Sequence, residues 1–217
     1  WTDSALDANE IKNITKKNSL QAFPYNKYHC TSWNVNQSAA IIVCSEKIAD
    51  DLDIPQEKRV YPLASSENNH MIGTLQRPKL YEQHGMQLAA KYILDICQKL
   101  KIEPNFYELY SCFPVAVQMF AESLNLNDYE KFTITGGMSF AGGPLNSYVL
   151  NSLAKMVSKI RKTDDSSGIV TGVSGMMTKQ SYTILSKDPL MNFTHKDFTE
   201  AAAKKDKPIE ISSLKEG

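Results

Sequence analysis

The chain has no excess of either charge: 24 lysines and arginines stand against 24 aspartates and glutamates in 217 residues. It therefore has no electrostatic footprint for nucleic acid or for an anionic membrane surface. Four cysteines, Cys30, Cys44, Cys97 and Cys112, lie far apart with no CxxC pair, too few and too scattered for a disulfide framework. They read as reduced thiols in a reducing, cytoplasmic compartment. No stretch reaches the ~18 consecutive apolar residues that a membrane span requires, and no apolar secretory core stands at the start. The four histidines, His29, His70, His84 and His195, lack metal-ligand spacing, so no metal is expected. With no GxxxxGK[ST] loop and no GxSxG elbow, neither a nucleotide-phosphate cradle nor a serine hydrolase gains support. Small metabolites and protein partners are the ligand classes left.

What is present is an alternation of strand and helix patterns. The chain opens on Trp1-Thr2-Asp3, without Met, in polar sequence that reads like the interior of a longer protein. Residues 1–30 read as a loop excursion with one helical candidate over Ala8–Lys17. The run Ala39–Cys44 carries a buried-strand signal, and Ser45 starts a short helix with Ile48 and Leu52 paired. Arg59–Leu63 reads as a strand and SSENNH after it as a loop. Leu80–Leu100 is the clearest helix, with Met86, Ala89, Ala90, Ile93, Leu94, Cys97 and Leu100 on one face. Asn105–Cys112 reads as a strand, followed by a helix from Phe113-Pro114 to Leu124, with proline where its missing N–H costs nothing. A second amphipathic helix runs through Val149, Leu153, Met156, Val157 and Ile160. Gly168–Val173 and Ser181–Leu185 read as an antiparallel pair at the end of the sheet. From Pro189 onward the sequence reads as a polar linker. Such alternation argues for an α/β layered domain.

Two strand-to-helix junctions offer chemistry, since sheets of this class place their sites there. In the first, Glu108-Leu109-Tyr110-Ser111-Cys112-Phe113-Pro114, a thiol and two hydroxyls precede a helix start. The helix dipole would lower the Cys112 pKa there, whereas a packed, inert thiol is the commoner fate of a cysteine. Ser111 and Tyr110 are either ligand donors or partners of nearby backbone. The second junction is KFTITGGMSFAGGPLNSY, in which Phe132 and Ile134 form a strand that enters Gly136-Gly137 and then Gly142-Gly143-Pro144. Glycines this dense permit positive φ and a close approach to bare backbone, and their N–H groups suit a carbonyl oxygen or phosphate. A tight connection with no ligand accounts for them equally well.

Taken together, TGGMSFAGGPLNSYVLNSLAKMV, ELYSCFPVAVQ and GIVTGVSGMMTKQS resemble the C-terminal half of the thiolase superfamily. The closer likeness is to sterol-carrier-protein-type thiolases and their acetyl-CoA acetyltransferase-like relatives. WNVNQSAAIIVCSEKIADDL similarly resembles the return of thiolases from their loop excursion to the first half of the core. The resemblance implies a five-layered αβαβα fold, of which this chain supplies mainly the C-terminal half. It divides the chain into an excursion remnant (1–30), the end of the N-terminal half (31–57), the C-terminal half (58–188) and a linker or entry to a further domain (189–217). It implies acyl transfer on acyl-CoA thioesters in lipid metabolism, with CoA as substrate rather than resident cofactor. The nucleophilic cysteine of that family lies in the first half, outside this chain. Pairing is implied too, as a homodimer or with a partner subunit.

The motifs keep the thiolase spacing and change its chemistry. Gly143 stands where thiolases carry the histidine of GHP. Tyr110-Ser111-Cys112-Phe113 replaces NEAF or HDCF, and Val173, followed by Ser174-Gly175, replaces the second catalytic cysteine. A glycine cannot act as a base and a valine cannot return a proton. By this comparison Gly136, Gly137, Gly142, Gly143, Pro144, Ser174 and Gly175 line the CoA site, and Cys112, Ser111 or Tyr110 substitutes for a missing catalytic group. A non-catalytic acyl-CoA-binding or scaffolding subunit is the alternative.

Overall fold

The computed structural model describes residues 6–164 and 166–210. The first five residues and the last seven of the polar tail lie outside them. A short helix α1 (Ala8–Lys12) and a small hairpin of β1 (Leu20–Ala22) and β2 (Tyr25–Asn26) precede an extended stretch that leads to α2 (Glu46–Asp51). Then come β3 (Tyr61–Asn68), α3 (His84–Leu100), β4 (Phe106–Glu108), α4 (Pro114–Ser123) and α5 (Tyr148–Ile160). The chain continues through β5 (Ser167–Ser174), β6 (Lys179–Ser186), β7 (Thr194–Asp197) and α6 (Thr199–Lys205).

The five strands β4-β5-β6-β3-β7 form one mixed sheet. Only β6 runs against its neighbours: β4 is parallel to β5 and β3 to β7, while β6 is antiparallel to both β5 and β3. The C-terminal ends of β3, β4, β5 and β7 therefore collect at one end of the sheet, where the junction loops begin.

Strand alternation distributes the core between two faces. Tyr107, Ile169, Tyr182 and Ile184 pack with α3 and α4 through Ile93, Met119 and Phe120. Val170 and Leu185 point the other way and pack on Met156 and Ile160 of α5. α3 has the regularity its sequence predicts, with Met86, Ala89, Ala90, Ile93 and Cys97 buried and Lys91 bonded to Asp95 at 2.7 Å outside. It stops where Lys101 turns left-handed at φ 55°.

Several sequence expectations are corrected. Ala39–Cys44 forms neither strand nor helix and pairs with none of the described strands, leaving Ile42 92% and Val43 83% exposed. Ser65–Asn68 is not a loop but the second half of β3, since its inward polar groups are satisfied within the fold. Ser66 donates to the Ala89 carbonyl at 2.7 Å and Asn68 to the Thr178 carbonyl at 2.8 Å. Phe132–Thr135 is not a strand; a single backbone bond, Leu109 N–H to Phe132 at 3.0 Å, ties it to the end of β4. The β5–β6 pair lies inside the sheet rather than at its end. Within the stretch read as a linker, β7 adds an edge strand and α6 packs on α3. Among the described residues no helix is long and apolar enough to cross a membrane.

Candidate functional site

The end of β4 delivers Tyr110, Ser111 and Cys112 to the sheet end where the parallel strands finish. The Tyr110 N–H donates to Thr171 Oγ1 of β5 at 2.9 Å, and its ring meets Tyr148 of α5 edge-on with centroids 5.6 Å apart. Ser111 Oγ accepts the Met138 N–H at 2.8 Å. The Cys112 carbonyl accepts from Thr31 Oγ1 at 3.1 Å. Pro114 then opens α4 in its first turn. The three candidate catalytic residues are thus brought together with the glycine loop and with the segment 31–37.

Burial pushes the Cys112 thiol above its ordinary range, outweighing the backbone hydrogen bonds that pull it down. This corrects the expectation that the helix start would lower it. The Tyr110 phenol is pushed up too, again by burial first and by nearby Cys112 second. Both are neutral at neutral pH, hydrogen-bond donors rather than nucleophiles.

Gly136, Gly137 and Gly142 have φ of 98°, 80° and 88°, conformations that only glycine adopts without strain. Their loop is closed on itself. The Gly136 and Gly137 N–H groups donate to Thr133 Oγ1 and Thr135 Oγ1 at 3.0 and 3.1 Å, and the Gly143 N–H to the Ser32 carbonyl at 2.8 Å. These three N–H groups are therefore engaged within the protein. Segment 31–37 lies across the loop: the Ser32 N–H donates to the Met138 carbonyl at 3.0 Å, and the Gln37 amide donates to the Ala141 carbonyl. Pro144 offers its carbonyl to the Ser147 N–H at 3.2 Å, starting the turn into α5.

Position 143 is filled. A Cβ there would stand 2.4 Å from Met138 Cε and 2.6 Å from Thr31 Cγ2. A side chain at position 143 would therefore need Met138 and Thr31 to move. Val173, Ser174 and Gly175 end β5 at the same sheet end, where the Gly175 turn at φ 58° packs close to Met71. Among the described residues they make no hydrogen bond to the glycine loop. A separate cavity of about 500 Å³ opens between the start of α3 and the end of α4, beside Gln83, Met86, Met119 and Glu122. None of the candidate site residues lines it.

Four residues central to this arrangement escaped the sequence reading: Glu108, Thr133, Thr135 and Tyr148. Glu108 is fully buried and takes hydrogen bonds from the other three side chains. The available signals were a carboxylate inside the apolar strand Phe106-Tyr107-Glu108-Leu109 and the Thr-x-Thr just ahead of the glycines.

The chain superposes on the crystal structure of a monomeric SCP2-thiolase-like protein type 1 from Mycobacterium smegmatis with a TM-score of 0.72 and 23% sequence identity. The match covers 86% of this chain and 42% of that one, so this chain spans less than half of the matched structure. The crystal structure of the Acat5 thiolase from Ascaris suum, in complex with coenzyme A, matches with a TM-score of 0.49 and 15% identity over 67% of this chain and 35% of its own. Neither a protein-family profile nor a curated protein sequence matches. The fold is thiolase-like, as the resemblance implied, with this chain supplying one half of it.

Proposed function

We propose that this chain is part of a thiolase-like protein acting on acyl-CoA thioesters, an acyltransferase of the acetyl-CoA acetyltransferase kind with altered acid–base groups. One observation carries the reading: Tyr110–Cys112, the glycine loop 136–143 and Val173–Gly175 gather at one sheet end, in the order in which the resemblance places acyl-CoA motifs. Strand ends of such sheets are where ligands bind. On this reading CoA is a substrate, the nucleophile belongs to the first half of the fold, and residues 31–57 finish that half. The exposed apolar edge at Ala39–Cys44 fits a strand awaiting the sheet of that half.

Within this chain the roles are limited by the chemistry present. Ser111 and Tyr110 are neutral hydroxyl donors suited to a thioester carbonyl. Cys112, held as the thiol, orients or donates rather than attacks. Gly143 supplies no base, so proton removal next to the thioester falls to a group elsewhere. The protein is read as cytoplasmic, working as a homodimer or with a partner subunit.

The packing at Gly143 and the raised Cys112 thiol favour a second reading, in which the protein binds acyl-CoA without turning it over. One experiment separates them. The purified protein carrying both halves of the fold is mixed with acetyl-CoA and longer acyl-CoA thioesters; free CoA thiol release is followed in a colorimetric assay and binding by calorimetry. Turnover supports the acyltransferase, saturable binding without turnover supports the binding protein, and neither signal overturns both.

A further inference from the structure

Glu108 is 0% exposed, and its two oxygens share only Thr133, which lies 3.1 Å from Oε1 and 3.0 Å from Oε2. Oε2 accepts the backbone N–H groups of Ile134 at 2.8 Å and Thr135 at 3.0 Å, donors that cannot reverse. Oε1 faces only hydroxyls: Tyr148 at 2.5 Å, Thr135 at 2.9 Å and Thr133 at 3.1 Å. The two threonines in turn accept the N–H groups of Gly137 and Gly136, and Tyr148 Oη also meets Thr135 Oγ1 at 3.0 Å. Two tiers of hydrogen bonds thus run from one carboxyl group to the two successive left-handed glycines.

We propose that Glu108 is a positioning residue: through Thr133 and Thr135 it fixes the conformation of Gly136 and Gly137, and with them the glycine loop of the acyl-CoA site. Its relevance to CoA rests on the function proposed above; the hold on the loop does not. Glu108 is sealed from solvent, so it acts on a ligand only through that loop.

The geometry also sets how protonation enters. A proton is best accommodated on Oε1, where every partner is a hydroxyl that can turn to accept, because two backbone N–H groups already occupy Oε2 beside the Thr133 hydroxyl. The groups facing Glu108 carry no opposing charge: Tyr148 from α5, with Tyr110 packed against its ring, Thr133, Ile134 and Thr135 from the loop, and Val170 from β5. Burial pushes the carboxyl above its ordinary value, against the pull of those hydrogen bonds. A closed loop therefore holds its proton more tightly than a loop opened to water. Closure is strongest below the ordinary carboxylate range and eases as pH rises through the raised value.

The test is amide hydrogen exchange at Gly136 and Gly137, read by NMR on the purified protein across the acid-to-neutral range and corrected for intrinsic exchange. Glu108→Leu and Thr135→Val are expected to speed exchange at these glycines about tenfold or more, the effect of losing roughly one buried hydrogen bond. Amides in the centre of α3 should not change. Glu108→Gln keeps a carbonyl for Ile134 and Thr135, so it should hold the glycines within about threefold of the parent while flattening the pH dependence. Acetyl-CoA affinity should fall about tenfold in Thr135→Val and be retained in Glu108→Gln. Unchanged glycine exchange in Thr135→Val, or a parental pH profile in Glu108→Gln, overturns the proposal, and both remain readable if Glu108→Leu does not fold. If the parent protein fails to bind acetyl-CoA, the function proposal falls while the exchange data still decide this one.

Discussion

At position 143 even a methyl group collides with Met138 and Thr31. Gly143→Ala should therefore lower stability by about 1–3 kcal/mol through overpacking, measured by urea unfolding, and Gly143→His should not restore a base without displacing segment 31–37. An unchanged unfolding midpoint for Gly143→Ala would show that the loop gives way freely. Cys112 offers a kinetic test. Since burial raises its thiol, it should react with iodoacetamide more slowly than exposed Cys44 at neutral pH, and its rate should climb only above the ordinary thiol range. Peptide mapping of the labelled protein would show the order, and prior labelling of Cys112 would contradict it. The sequence singled out Gly143 by the spacing of its glycine pairs. It could not show that Met138 and Thr31 fill the place, since those contacts join residues 31, 138 and 143 only in the folded chain.

Among the elements, helices were legible and strands less so. α3 and α5 repeat apolar residues with the helical period and bury that face. β3 hid its second half because Ser66 and Asn68 look like loop residues until their hydrogen bonds inside the fold are seen. Ala39–Cys44 misled in the opposite direction: its composition is that of a buried strand, but a strand needs a neighbour. Ile42→Asp should accordingly change the stability of this chain by no more than about 0.5 kcal/mol. Ile93→Ala, in the core between α3 and the sheet, should cost about 2–5 kcal/mol. Chemical denaturation of the two variants side by side checks both. A large loss in Ile42→Asp would mean that the segment is packed after all.

For the molecule as a whole, the α/β class followed from alternating patterns, and the thiolase-like fold from three motifs in a fixed order. The superposition on the SCP2-thiolase-like protein shows that fold. β7 and α6 were not legible, because Thr194–Asp197 is a polar edge strand that gains its place only by pairing with β3. Glu108 was unreadable for a related reason: its five donors come from the backbone of Ile134 and Thr135 and from Thr133, Thr135 and Tyr148, distant in sequence from the carboxyl they hold. The central claim is that this assembly frames a site for an acyl-CoA thioester. Calorimetric titration of the purified protein with acetyl-CoA tests it most directly. A saturable isotherm, weakened about tenfold by Thr135→Val, is the predicted result; no heat of binding at any concentration would contradict it.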